Sequence, residues 1–274
     1  MPFDTCWAKI ERAKEHSDAL DAHLDEVFSI DANCPVLGTK GYRDGGGKGI
    51  HKNVVYVSYA PDLTEAMARA GVLLGDAIHN LRSALDHLAY QLALKNRGKL
   101  TETQERSVYF PICKEQKDWP KEWKRKLRYV GRLDREVIKR YQPFSPPHDN
   151  VTISNTPPDF HPLLALERLD IIDKHRLIPT VIMDAGGYSS NSINPGILMS
   201  FVTGTIERQD RVIRVEKGAE VYTFLTPKVL LKDVEMDAKI TPNVSLEDGT
   251  PIQPMIKRMA AVIVKLLREF DPIP

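Results

Sequence analysis

The sequence is short of the features that usually announce a function. Its three cysteines, Cys6, Cys34 and Cys113, stand far apart among 274 residues and form no C-x-x-C pair. That argues against a disulfide framework or a cysteine zinc site and fits a reducing compartment. No stretch approaches the ~18 uninterrupted apolar residues of a membrane helix, and the N-terminus MPFDTCWAKIERAKEH lacks the apolar core of a secretion signal. A cytoplasmic protein with no membrane partner is therefore expected. A net charge of +1 excludes a surface that is wholly a trap for polyanions, although not a local basic patch. The 42% hydrophobic and 27% charged composition is that of an ordinary globular chain, long enough to bury a sizeable core.

A complete phosphate loop is also missing. GYRDGGGKGIHK approaches one, but Tyr42 stands where the first glycine of G-x-x-x-x-G-K belongs. Gly49 replaces the Ser/Thr that would hold magnesium. NVVYVSY then reads as a strand, whereas a phosphate loop feeds the N-terminus of a helix. These glycines are expected to form a mobile loop.

What is present is mainly helical. Trp7, Ile10, Leu20, Leu24 and Val27 recur at helical spacing over Asp4 to Phe28, and DANCP stops the run. The strongest pattern follows Asp62 and Glu65, spaced as a capping box, and ends at Asn96 and Gly98. Between them lies a helix roughly 50 Å long at 1.5 Å per residue. From Ala66 to Leu94 it has neither lysine nor glutamate. Long solvated helices use both, so this one is expected to be covered by other helices or a second subunit.

Trp119, Trp123, Leu127 and Val130 make the apolar stripe of a short, strongly basic helical segment. QPFSPPHDN and SNTPPDF mark an irregular crossing, and HPLLALERLDIIDKHRLI returns to helix. After Ile178, VEMDAKI alternates with period two, and GILMSFVTGT, RVIRVEKG and EVYTFL are also strand-like. Ile256, Met259, Ile263, Leu266 and Phe270 give the last segment one apolar face. The predicted class is α+β, with a helical domain over residues 1–178, a small antiparallel β segment over 179–250, and a C-terminal helix over 251–274 that packs back on the bundle.

The chemistry-bearing stretch is HNLRSALDHLAYQL. At about 100° per residue, His79, Ser83, Asp86 and Tyr90 fall in one narrow strip, flanked by Asn80 and His87 on one side and Arg82 on the other. Leu81, Ala84, Leu85, Leu88 and Leu92 occupy the opposite arc as core. The plain interpretation is an Arg82–Asp86 surface pair with histidines hydrogen-bonded at a packing seam.

Arg82 and His87 also form R-x4-H on a helix, which resembles the HEPN superfamily of helical-bundle proteins, many of them metal-independent ribonucleases. The family's pattern is the permissive R-x4–6-H, which Arg168 and His175 also match. The resemblance implies a homodimer in which two such helices pool their residues, with RNA as partner and no cofactor or metal. It implies His87 as general acid/base and Arg82 as phosphate clamp, with His79, Asn80, Ser83 and Asp86 in the same site. Histidine moves protons near neutral pH, and a guanidinium fork matches phosphate oxygens, so the residue types suit the chemistry.

Lys124, Arg125, Lys126 and Arg128 are candidate RNA contacts, against a plain reading as a solvated basic face. Asp173, His175 and Arg176 are candidate supporting residues if DIIDKHR docks on the strip; the simpler alternative is local pairing of Asp170 with Lys174 and Asp173 with Arg176. Asp76 and His79, at i and i+3, are half of a carboxylate/histidine metal pattern, which His161, Asp173 and His175 could complete only if the fold gathered them. A helical dimer without activity, whose β segment binds a ligand or partner, is the alternative to the nuclease.

Overall fold

A computed structural model describes residues 2–43, 50–145, 161–178, 180–184, 206–207, 213–227, 234–239, 243–246 and 248–272. It is α+β, as predicted. The helices are α1 (Asp4–Ser29), α2 (Thr64–Arg97), α3 (Glu102–Glu105), α4 (Trp119–Lys126), α5 (Arg132–Arg140), α6 (Pro162–His175) and α7 (Ile252–Arg268). The strands are β1 (Val36–Arg43), β2 (Ile50–Tyr59), β3 (Thr180–Asp184), β4 (Ile206–Glu207), β5 (Ile213–Arg214), β6 (Glu220–Pro227), β7 (Val234–Lys239) and β8 (Asn243–Leu246). Among the described residues no helix is long and apolar enough to cross a membrane.

The chain divides into two compact units. One comprises Met1–Asp21, Gly71–Ile178 and Gln253–Pro274, the other Ala22–Ala70 and Pro179–Ile252. This differs from the division expected at residue 178. The reason is strand pairing: β1 and β2 form an antiparallel hairpin, and β2 then pairs with β6 while β1 pairs with β7. Residues 22–70 thus join the β part, which holds a five-stranded sheet in the order β4-β6-β2-β1-β7 and a three-stranded sheet in the order β5-β3-β8. Part of the glycine-rich stretch expected to be a loop lies in strands. Gly41 to Arg43 and Ile50 to Lys52 already lie in paired strands. Residues 44–49 of that loop, residues 146–160 of the proline-rich crossing and GILMSFVTGT lie outside the described residues.

In the helical unit the core runs along α2. Leu81, Ala84, Leu85, Leu88 and Leu92 are all at most 1% exposed, as are Leu74 and Ile78. Truncating any one of the leucines to alanine costs about 2–5 kcal/mol. The start of α2 falls one residue beyond the expected cap: Asp62 accepts from the N–H of Thr64 (3.1 Å) and from its hydroxyl (2.7 Å). Its end is a glycine stop. Gly98 sits at φ +76°, where a side chain would be strained, and its N–H bonds the carbonyl of Leu94.

The Trp119–Val130 stripe is split in two. Helix α4 stops at Lys126, Leu127 and Val130 are buried in the turn, and α5 restarts after Gly131. Helix α7 packs on the helical unit as expected. Ile256, Met259, Ile263 and Leu266 are buried, and beyond the helix Asp271 accepts from the Trp7 indole at 2.9 Å while Glu269 accepts from Tyr141 at 3.0 Å.

The three cysteines are free and buried. Burial pushes the Cys6 thiol up to about 12 and that of Cys113 to about 11, so neither ionises near neutral pH.

Candidate functional site

The polar strip of α2 separates into two flanks with different chemistry. On the first, the Arg82 Nη2 donates to Asp86 Oδ1 (3.1 Å) and to the Phe110 carbonyl (2.8 Å). The Phe110 N–H donates to the same Asp86 oxygen at 2.9 Å. This closed ring fastens the segment Val108–Cys113, buried except for Tyr109, to α2. The Arg82 side chain is only 11% exposed, and its Nη1 is buried without a hydrogen-bond partner. Burial raises the Asp86 carboxyl above its ordinary range, opposed by Arg82 and the Phe110 N–H.

Helix α6 brings further carboxylates to this flank. His161 caps its N-terminus by accepting from the Leu163 N–H, with Pro162 in the first turn. Burial pushes the His161 imidazole down to about 4. Burial also raises Glu167, against the lowering effect of Arg82 and Lys126. Asp170 is a charged side chain 4% exposed, held by Lys174 at 2.6 Å through one oxygen. Its other oxygen faces the half-exposed His79 at 3.6 Å and has no hydrogen bond. Asp173 lies against Gly75, where an added Cβ would come within 2.0 Å of its Oδ1, so only glycine admits this approach. Burial raises Asp173, and neighbouring Asp76 raises it further.

The second flank meets α1. Asn80 is buried; its amide donates to the Asp76 carbonyl at 2.8 Å, and its oxygen accepts from Lys9 Nζ at 3.3 Å. His87 is half-buried. Burial and the positive charge of Lys9 hold its imidazole below the ordinary histidine range, with Asp86 acting the other way. His87 is therefore a neutral base at physiological pH, next to a cation. Ser83 is half-buried and His79 exposed along the open middle of the strip. Tyr90, further along, donates to Glu105 at 2.8 Å, and that bond raises its phenol.

Sequence reasoning missed Lys9, Phe110 and Glu105. Phe110 acts through backbone groups, which carry no residue signal, and Lys9 comes from a helix that shows only its own core stripe in the sequence. The α6 docking expected of Asp173, His175 and Arg176 involves a different set. Asp170 and Asp173 face the strip because they sit three apart on one side of the helix. His175 is exposed, and Arg176 lies in extended backbone past the last turn. Asp170 pairs with Lys174 as the local reading had it, but Asp173 does not pair with Arg176. For the metal pattern, Asp76 instead faces His16 at 3.7 Å, and His161 is engaged as a cap. Among the described residues no group of three or more His, Cys, Asp or Glu side chains is arranged to hold a metal ion.

The predicted RNA contacts also divide. Arg125 and Lys126 pair with Glu122 at 2.8 and 3.1 Å, whereas Lys124 lies over the Trp123 ring and Arg128 over the Tyr129 ring. No family model, curated protein or solved structure matches this chain.

Proposed function

We propose that the protein is a metal-independent endoribonuclease of the HEPN-like kind, working in the cytoplasm as a homodimer that joins two α2 strips. The observation that carries this reading is the opposite displacement of two adjacent groups. Asp86 is raised and His87 lowered, and groups whose proton affinity is displaced by burial and a nearby charge cluster at functional sites. His87 takes the proton from the RNA 2′-hydroxyl, whose oxygen attacks phosphorus. The bond from phosphorus to the 5′-oxygen breaks, and that oxygen takes a proton from His79. The products are a 2′,3′-cyclic phosphate and a 5′-hydroxyl. Lys9 supplies positive charge beside His87 and Asn80 orients it. Arg82, already engaged with Asp86 and Phe110, positions the strip more than it clamps phosphate.

The test is incubation of purified protein with a broad RNA panel in EDTA. Cleavage leaving cyclic phosphate ends, abolished in a folded His87→Ala variant, is the expected result. An intact panel with the wild-type protein would sink the proposal. The second reading, a non-catalytic helical dimer whose β unit binds a ligand or partner, is favoured by the Arg82–Asp86–Phe110 ring, because that ring occupies the expected phosphate clamp with a structural task.

A further inference from the structure

Helices α4 and α5, the turn between them and the end of α2 carry a surface on which cations lie over aromatic rings. The Arg135 guanidinium lies 4.1 Å from the centroid of the Trp123 ring, with Lys124 at 5.9 Å from the same ring. Tyr129 is approached by Arg97 at 5.5 Å and by Arg128 at 5.9 Å. Among the described residues none of these four cations pairs with a carboxylate. Glu122 is taken by Arg125 and Lys126, and Asp134 faces Lys95. Arg97, Lys124 and Arg128 are exposed, and the adjoining Leu133 is 82% exposed.

A purely solvated basic face would scatter its charges to minimise repulsion. Here four of them lie over two half-buried rings, which gathers cations and aromatic faces together at the surface. A flat guanidinium offers charge to phosphate at its edge and a stacking face to a base. Duplexes hide their base faces, whereas single strands expose them.

We infer that the Arg97–Trp123–Tyr129–Arg135 surface binds single-stranded RNA, with the arginines and Lys124 on phosphates and bases extending the cation–ring stacks. Single-strandedness follows from the stacking faces; the choice of RNA over DNA rests on the nuclease reading. Lys124 and Arg128 thus belong to the contact surface, while Arg125 and Lys126 do not.

The test is fluorescence anisotropy with the full chain and a labelled 2′-O-methyl RNA of mixed sequence. That probe lacks the hydroxyl needed for cleavage, so binding is read independently of activity. With about four phosphate contacts, affinity should fall roughly fifty-fold between 50 and 200 mM salt. Trp123→Ala should weaken binding about tenfold or more. Because Trp123 is half-buried, the exposed pair Lys124→Ala and Arg128→Ala serves as a second variant, expected to weaken binding and flatten the salt dependence. Arg125→Ala should leave it unchanged.

Equal binding of the matching duplex, or affinity indifferent to both variants, would overturn the surface. Tighter binding of single-stranded DNA would overturn the choice of RNA. Binding without any RNA cleavage leaves the surface standing and removes the nuclease. Cleavage without binding here does the reverse.

Discussion

Arg82 and His87 lie five residues apart on one helix and meet opposite surroundings. The flank of Arg82 is sealed: its Nη2, the Asp86 carboxylate and the Phe110 backbone bond one another, and α6 adds carboxylates that burial keeps reluctant to ionise. The flank of His87 is open, with a base held neutral beside a lysine. A polar group enclosed in a closed hydrogen-bonded ring stabilises the fold. One left half-exposed with a displaced proton affinity is available for chemistry. The contrast ties one residue of the R-x4-H pair into a hydrogen-bonded ring and leaves the other half-exposed beside a cation.

The largest expected effect tests this difference directly. Arg82→Ala leaves Asp86 and the Phe110 carbonyl without their charged partner, and should destabilise the chain by about 3 kcal/mol in urea unfolding. His87→Ala should stay within about 0.5 kcal/mol of wild type. Equal losses for the two variants would erase the distinction between flanks.

Gly75 tests how tightly the sealed flank is closed. A methyl group there meets the Asp173 carboxylate, so Gly75→Ala must displace α6 or turn Asp173 away. A loss of roughly 1–3 kcal/mol is expected despite alanine's better helix propensity. If the variant is instead stabilised, α6 does not dock on α2 as described. Combining it with Asp173→Ala should recover part of the loss, because the clash then disappears.

Acid sensitivity comes next. His161 has its folded value lowered to about 4, so the unfolded chain binds the proton first as pH falls below 6.5. His161 therefore contributes stability above that range and loses it down to about pH 4. Solvent contact makes roughly 2 kcal/mol the expected loss at the acid end. Asp86, Glu167 and Asp173 act with the opposite sign, since raised carboxyls make the fold relatively more stable as they protonate. His161→Asn keeps a capping side chain without titrating. Its urea midpoint should fall less than that of wild type between pH 6.5 and pH 4.5; an equal or steeper fall would contradict this role.

These flanks were unevenly legible in the sequence. The strip itself followed from helical geometry, because Leu81, Leu85 and Leu88 fix which side of α2 is core and leave His79, Ser83 and Asp86 on the other. The partners did not follow, since Phe110 contributes an N–H and a carbonyl that every residue possesses. Gly75 carried a weak signal at most: glycine in a helix costs about 1 kcal/mol against alanine, which implies a packing reason without naming Asp173. The β hairpin was half visible. NVVYVSY is rich in β-branched residues, but VLGTKGYR has two glycines that conceal its period, so β1 and the larger β unit were missed.

The smallest effect concerns the open flank. Lys9→Met keeps the apolar stem and removes the charge that disfavours the His87 imidazolium. The His87 midpoint, followed by NMR titration of the imidazole protons, should rise, because a cation that disfavours the imidazolium is gone. Asp86→Asn should move it the other way, because it removes the anion that favours the imidazolium. A midpoint that stays fixed in both variants would mean that burial alone sets His87, leaving Lys9 no electrostatic part in the site. Opposite movements would instead make the two flanks electrically linked: the carboxylate that seals Arg82 in place would also tune the base on the open side.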